Sequence, residues 1–314
     1  MTGPSAVTAY APGGVGNVGP GLDIMGLAVA GLGDTVRAEW SAEPGIRIMD
    51  PGHDALPREA ERHTSALAAR AVLERAGGSR DRRGLALYVR KELPLSGGQG
   101  GSAASAVAAA VAVNTLLGGP LDRIALVEAC LTAEEAVAGR HADNIAPALL
   151  GGIVLIRSME PLDLVQLPVP EELFVVLVRP DQQLRTLEGR SVLPREVSRA
   201  VALHQAAQVA AVVAALAAGD YALLGRAIDD RIAEPARAPL LPGFPEAKAA
   251  GLAAGALGSS ISGSGPTAFA LARGRDSGDR VGAAMAAAYA GRGMSCDVRV
   301  APVDRVGAQI LEER

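Results

Sequence analysis

The run Pro94-Leu-Ser-Gly-Gly-Gln-Gly-Gly-Ser-Ala-Ala-Ser105 carries the strongest chemical signal in the chain. Four glycines in five positions let the backbone enter left-handed conformations and approach a ligand with no Cβ in the way. The small residues Ser102, Ala103, Ala104 and Ser105 then start a helix whose first N–H groups lack partners and whose dipole favours an anion. A triphosphate is the expected occupant. A P-loop would need Gly-Lys-Ser/Thr, and the run holds no lysine. The spacing Gly98-x-Gly100-x-x-Ala103 meets the dinucleotide fingerprint, but that fold wants a strand ending in Asp or Glu about twenty residues on. The chain has Gly118-Gly-Pro-Leu-Asp122 there, a turn opening another helix. A merely flexible loop is the plain alternative, yet flexibility requires no run of tiny residues at a helix start.

The elements that must hold this loop follow from periodicity. Strands are expected at Ala6–Tyr10, Met25–Val29, Thr35–Trp40, Ile46–Met49, Leu85–Val89 and Ile153–Ile156, with a glycine-dense loop over Ala11–Asp23. Helices are expected over Glu59–Ala76 (closed by Gly77-Gly78), from the glycine run to Leu117, over Arg123–Val137 behind Asp122, and in a short apolar segment ending at Gly151-Gly152. A second block begins near Glu160. It has strands Leu164–Leu167 and Phe174–Val178, a loop from Arg179 to Pro194, a long amphipathic helix Glu196–Ala218 and a shorter one Tyr221–Asp230. A proline-rich stretch, a helix Glu246–Ala254, a glycine-serine turn, a strand Thr267–Leu271, a helix Asp279–Ala290 and a strand Asp297–Val300 complete it. Strands alternating with helices make an α/β or α+β protein, divided at 1–158 and 159–314.

Composition bounds the partners. With 314 residues, 49% hydrophobic and 20% charged, the chain is long enough for two cores and is not disordered. Aromatics at 3% leave the core to Ala, Val and Leu. A net charge of −4 offers no surplus for a nucleic-acid backbone. Two cysteines and four histidines give neither a disulfide framework nor zinc-ligand spacing. Ala103–Val113 and Val209–Ala218 are too short to span a bilayer, and MTGPSAVTAY lacks a secretory signal. The expectation is a cytoplasmic protein with neither membrane nor nucleic-acid partners.

The glycine run resembles the second motif of the GHMP kinases, usually Gly-Leu-Gly-Ser-Ser-Ala-Ala. Here Gln99 replaces the leucine, Gly101 replaces the first serine and Ser102 keeps the second. Asn17-Val-Gly-Pro-Gly-Leu-Asp23 resembles the first motif and Leu257-Gly-Ser-Ser-Ile-Ser-Gly-Ser-Gly-Pro266 the third. The form of the first motif is similar to the homoserine kinase branch. So are Gly139-Arg-His-Ala-Asp-Asn144, Arg179-Pro-Asp with Thr186-x-x-x-Arg190, and Glu234-Pro-x-Arg237. The resemblance implies an N-terminal ATP-binding domain like domain 2 of ribosomal protein S5 and a C-terminal ferredoxin-like α/β sandwich. The implied activity is ATP-dependent phosphorylation of the L-homoserine hydroxyl to O-phospho-L-homoserine, towards threonine. Relatives are commonly dimers.

The same resemblance implies site residues. ATP would lie along Pro94, Leu95, Ser96, Gly97, Gly98, Gln99, Gly100, Gly101, Ser102, Ala103 and Ala104, with Mg²⁺ on Ser102 and Glu134. Ser262, Gly263, Ser264 and Gly265 would support the phosphate loop. Arg190 and Arg237 would grip the substrate carboxylate or the phosphoryl group. Asp23 would take its ammonium, and Asn17, His141 and Thr186 its polar end. Asp143 and Asn144 are assigned to the reaction centre as orienting groups, neither being named general base; Asp143 is also expected to cap the following helix. Another GHMP kinase acting on a different hydroxyl, a silent nucleotide sensor of the same fold, and a dinucleotide-dependent oxidoreductase are the alternatives.

Overall fold

Small apolar residues carry the first strand, β1 (Ala6–Gly16), straight through glycines expected to form a loop. Its partner β2 (Met25–Ser41) is one 17-residue strand where two were expected. The two pair antiparallel, and an irregularity between Pro12 and Gly14 takes up a change of register so that neither strand breaks. Gly14 permits this approach, since a Cβ there would lie 2.0 Å from the Leu27 carbonyl oxygen. The computed structural model describes residues 3–77, 84–136 and 139–314. Gly78 and Val137, two expected helix-boundary residues, lie outside the described residues.

β1 and β2 centre a seven-stranded sheet in the order β11 (Gln309–Glu313), β1, β2, β4 (Gly84–Arg90), β3 (Ile46–Asp50). β5 (Ile153–Met159) pairs with the start of β2, and β6 (Leu162–Leu167) with β5. A division at residue 158 therefore falls within a hairpin whose two strands share this sheet, and β11, absent from the sequence reading, returns from the end of the chain to pair with β1. Four helices cover the sheet: α1 (Thr64–Arg75), α2 (Gly101–Leu116), α3 (Arg123–Glu135) and α4 (Ile145–Leu150). α2 is buried along nearly its whole length. Its alanines let it pack among α1, α3 and the sheet at once, so the phosphate-loop helix is a fixed axle of the fold.

The second sheet is antiparallel: β10 (Cys296–Pro302), β7 (Leu173–Pro180), β9 (Ala268–Arg273), β8 (Gly258–Ile261). Alternation along β7 splits its side chains between two cores. Val176 and Val178 join Phe244, Val281, Met285 and Tyr289 beneath α9 (Phe244–Ala253) and α10 (Arg275–Ala290). Val175 and Leu177 face Val212, Leu216 and Leu224 of α6 (Arg199–Ala218) and α7 (Tyr221–Ala227). That second core also takes Val15, Met25, Leu27 and Ile153 from the first sheet. One continuous apolar body joins the two sheets and fixes the cleft between them.

Several segments depart from expectation. α5 (Thr186–Ser191) and α8 (Ala233–Arg237) occupy stretches read as loop and proline-rich coil. α6 starts at Arg199, where the Ser198 side chain accepts the Val201 N–H at 3.3 Å. It is not amphipathic: Leu203, Ala206, Ala207 and Ala210 on its outer side are apolar and exposed. By length and composition alone α6 could cross a membrane; here Val212, Ala215 and Leu216 belong to the second core.

Candidate active site

The glycine run leaves β4, turns and enters α2 as expected. Ser96, Gly98 and Gly100 have φ of 50°, 72° and 70°. A Cβ on Gly98 would lie 2.6 Å from the Ser262 carbonyl oxygen and 2.7 Å from that of Gly265. Gly100 stands at the helix N-cap with no side chain capping the first turn, leaving that end open to an anion. The third motif braces the loop from behind: the Ser262 hydroxyl donates to the Gly98 carbonyl at 2.6 Å and the Thr267 hydroxyl to that of Gly97 at 2.5 Å. Gln99, buried, donates its amide to the Thr267 hydroxyl at 3.1 Å. This accounts for a polar residue where the family usually has leucine.

Gly101, the other departure, has a similar explanation. A Cβ there would come 3.3 Å from the Lys91 ammonium, which donates to the Gly101 carbonyl at 2.8 Å and to the Ser105 hydroxyl at 2.9 Å. Lys91 also pairs with the fully buried Asp34. Asp34 in turn accepts the Ser105 hydroxyl at 2.7 Å and the N–H groups of Glu92 and Leu93 at 3.0 and 3.1 Å. Burial pulls the Lys91 pKa down while Asp34 pulls it back up. Lys91 and Asp34 were missed in the sequence, and Ser105 was read only as a small residue at the helix start. The one available signal was rarity, since Lys91 and Lys248 are the only lysines among 30 basic residues. Both are paired with carboxylates, Lys248 with Glu234.

Next to the open helix end, the Ser102 hydroxyl lies 3.1 and 3.4 Å from the Glu134 carboxylate oxygens. Glu134 is buried, whereas its neighbour Glu135 points out towards Arg140. Burial pushes the Glu134 carboxyl above its usual range, against the charge of His141 and the Ser102 bond. These are hard oxygen donors aimed at the phosphate end of the cleft, the chemistry a magnesium ion prefers. Among the described residues no group of three His, Cys, Asp or Glu side chains is placed to hold a metal ion, so an ion bound there would need further ligands from outside the protein's own carboxylates and imidazoles.

The acceptor side is assembled from segments distant in sequence. Asn17, Val18 and Asp23 have φ of 74°, 43° and 60°, a bend pinned from three directions. The Asn17 N–H donates to Asp143 at 3.1 Å, its amide to the Gly263 carbonyl at 3.1 Å, and its side-chain oxygen accepts the Asp23 N–H at 3.1 Å. Asp143 therefore reaches into the first motif. Contrary to expectation it does not cap α4: the N-cap there is Asn144 without a side-chain cap bond, and the Ala146 N–H goes to the Ala142 carbonyl. His141 sits 3.5 Å from Asp143. Burial lowers its pKa, but the hydrogen bond and charge of Asp143 outweigh that and raise it overall. Arg190 grips Asp23 through both nitrogens, at 2.5 and 3.3 Å, so the two groups assigned to opposite ends of the substrate neutralise each other here. Arg237, 2% exposed, donates to the carbonyls of Gly189 and Gly263, both at 2.9 Å. Burial, then the like charge of Arg190, hold its pKa below the ordinary guanidinium value.

One cleft of about 1110 Å³ gathers Pro94 to Ser102, Glu134, His141, Asp143, Asn144, Asn17, Asp23, Thr186, Arg190, Arg237, Gly263 and Ser264. Four expected residues do not line it. The Ala103 and Ala104 side chains are fully buried, Ala103 in the first core, and the Ala104 N–H is already bonded to the Gly100 carbonyl. Ser262 and Gly265 stand behind the loop. Leu56, Pro57, Arg62 and His63 also line the cleft and carry no motif.

Comparison with known proteins agrees with this architecture. The N-terminal domain of GHMP kinases matches residues 63–152 and the C-terminal domain of GHMP kinases matches residues 212–291, more than half of the chain. The chain belongs to the GHMP kinase family, and its fold is the GHMP kinase fold. Within that family it is similar over nearly its full length to homoserine kinases. That of Chlorobium phaeobacteroides (strain BS1) is 43% identical, covering 97% of this chain and 99% of the relative. That of Arabidopsis thaliana is also 43% identical, over 98% and 85%. The crystal structure of homoserine kinase from Cytophaga hutchinsonii superposes with a TM-score of 0.93 at 38% identity, covering 98% of each chain. A mevalonate kinase from L. major, at 18% identity and a TM-score of 0.69, shares the fold.

Proposed function

We propose that this protein is a homoserine kinase that transfers the γ-phosphoryl group of ATP to the side-chain hydroxyl of L-homoserine, giving O-phospho-L-homoserine for threonine synthesis. The carrying observation is the single cleft that joins an uncapped helix start to a cluster of Asn17, Asp23, His141, Arg190 and Arg237. The first end suits a polyphosphate, and the second suits a small zwitterion with a carboxylate and an ammonium. The relatives at about 40% identity support the choice of acceptor.

Loop amides from Ser96 to Ser102 hold the phosphates, and the apolar wall of Leu56 and Pro57 with the His63 ring takes the base. Ser102 and Glu134 would hold Mg²⁺, which supplies charge neutralisation on the polyphosphate when bound. Arg237 keeps two N–H groups on carbonyls and presents the rest of its planar fork to the cleft. Its charge lies where negative charge grows during transfer. Exchange of the Asp23–Arg190 pair opens one carboxylate for the ammonium and one guanidinium for the carboxylate of the acceptor. Asp143, fixed by Asn17 and Asn144, orients the hydroxyl end. Placement and charge neutralisation supply most of the acceleration in this class of reaction.

The test is ADP release by purified protein with ATP, Mg²⁺ and, in parallel, L-homoserine, R-mevalonate and galactose. Turnover with L-homoserine, accompanied by O-phospho-L-homoserine in the product mixture, is expected. Turnover with only one of the others would overturn the acceptor while leaving the family intact.

A further inference from the structure

Outside the cleft, one buried polar pair ties together the two segments that carry the acceptor groups. We infer that Gln205 and Asp230 are positioning residues for the transfer, holding the Asn17–Asp23 bend and the Arg237-bearing helix α8 as one unit. The inference rests on the functional reading above, because it concerns how the acceptor side of that site is kept in register.

Gln205 is the only polar side chain that α6 buries; the others are Val212, Ala215 and Leu216. A buried amide is costly unless its hydrogen bonds are made, and here each is directed. Its nitrogen donates to the Pro20 carbonyl at 2.8 Å and to Asp230 at 2.9 Å, and its oxygen accepts the Arg231 N–H at 3.1 Å. Pro20 lies in the middle of the first motif, whose left-handed residues need outside support to persist. Asp230, 7% exposed, gathers the start of α8. One carboxylate oxygen takes the N–H groups of Ile232 and Ala233 at 2.8 and 3.1 Å, and the other that of Glu234 at 2.8 Å.

The bonds close into a ring. From Pro20 they pass through Gln205 to Asp230 and along the single turn of α8 to Arg237. Arg237 donates to the Gly263 carbonyl, which also accepts from Asn17, returning the ring to the first motif. Neither Gln205 nor Asp230 lines the cleft, so both act through other residues. A buried carboxylate outside the cleft, together with an amide aimed from an otherwise apolar buried helix face, is more than a cap requires. It sets the distance between Asn17 and Arg237.

The experiment compares the parent with Gln205→Leu, with the shape-preserving Gln205→Glu, which removes the donors, and with Asp230→Asn. Steady-state kinetics with L-homoserine and ATP are measured alongside hydrogen exchange followed by mass spectrometry. We expect kcat/KM for the acceptor to fall about ten- to a hundredfold with the KM for ATP unchanged. Exchange should quicken in segments 17–24 and 233–240 but not in 95–104. In an Arg237→Lys background the Gln205→Leu loss should shrink, as for residues acting in series. Folded variants with parental kinetics, equal losses for both substrates, or a full Gln205→Leu loss in the Arg237→Lys background would each overturn the inference. A parent inactive on L-homoserine would strike the functional reading instead. The exchange pattern would then decide the positioning role by itself, quickening confined to the two acceptor segments supporting it and parental exchange refuting it.

Discussion

The two ends of the cleft are built on opposite principles. The end proposed for the phosphates is made of backbone: consecutive residues 94–102, glycines in left-handed conformations, and a helix start left uncapped. The acceptor end is made of side chains from four separate stretches, around residues 17–23, 141–144, 186–190 and 237, held by bonds such as Asn17 to Gly263 and Arg237 to Gly189. A polyphosphate is recognised by any array of amides, so local sequence suffices to encode its site. A small zwitterion needs opposite charges at fixed separations, which only elements from different parts of the chain can supply.

That contrast can be broken most sharply at Ser102 and Glu134, the pair proposed to hold Mg²⁺. Ser102→Ala and Glu134→Gln should each lower turnover by about 10²–10³-fold with the far-UV spectrum unchanged; full activity in both would remove them from the chemistry. Gly98→Ala comes next. A side chain there carries an unfavourable φ worth about 1–2 kcal/mol and meets two carbonyls inside 3 Å. The KM for ATP should rise at least tenfold, about 1.4 kcal/mol, while the KM for the acceptor holds. Arg237→Lys tests the other end: the ammonium cannot serve Gly189, Gly263 and a ligand in one plane. Acceptor kcat/KM should drop by roughly tenfold or more with the KM for ATP unmoved. If Gly98→Ala and Arg237→Lys disturbed both substrates equally, the two ends would not be separate constructions.

The smallest effect concerns stability. His63 caps α1, its Nδ1 accepting the Ser65 N–H at 3.2 Å, and burial lowers its pKa. The folded protein therefore resists a proton that the unfolded chain accepts near pH 6.5. Stability from this group is present above that pH and is lost as pH falls through it towards the lower folded value. His63→Asn keeps a capping side chain without a proton to gain. The Tm of the variant should fall less than that of the parent between pH 7.5 and 5.5.

Legibility followed the same division. The phosphate loop, the strands flanking it and α2 were readable because their signals are local: glycine runs, caps and period-two alternation. Ser102 and Glu134 came from the family resemblance, and the structure brings them within 3.1 Å. The pairing of Lys91 with Asp34 and of Gln205 with Asp230 could not be read, because an isolated Asp or Gln carries no spacing signal and its partner lies far along the chain. Asp143 was misread as a cap for the same reason. A local rule offered it two nearby N–H groups, while the fold offered Asn17, 126 residues away. The Arg179–Pro194 loop hid α5, whose six residues are too few for a periodic signal.

Most of the strands and longer helices, the glycine bend before α2 and the charged residues near it were settled by the chain itself, since each depends on neighbours within a few residues. Which carboxylate pairs with which guanidinium, why Gly101 and Gln99 stand where they do, and how β11 completes the first sheet were decided only on folding. Those outcomes depend on distances between residues far apart in the chain, and packing of the shared core against β7 and β2 is what sets such distances.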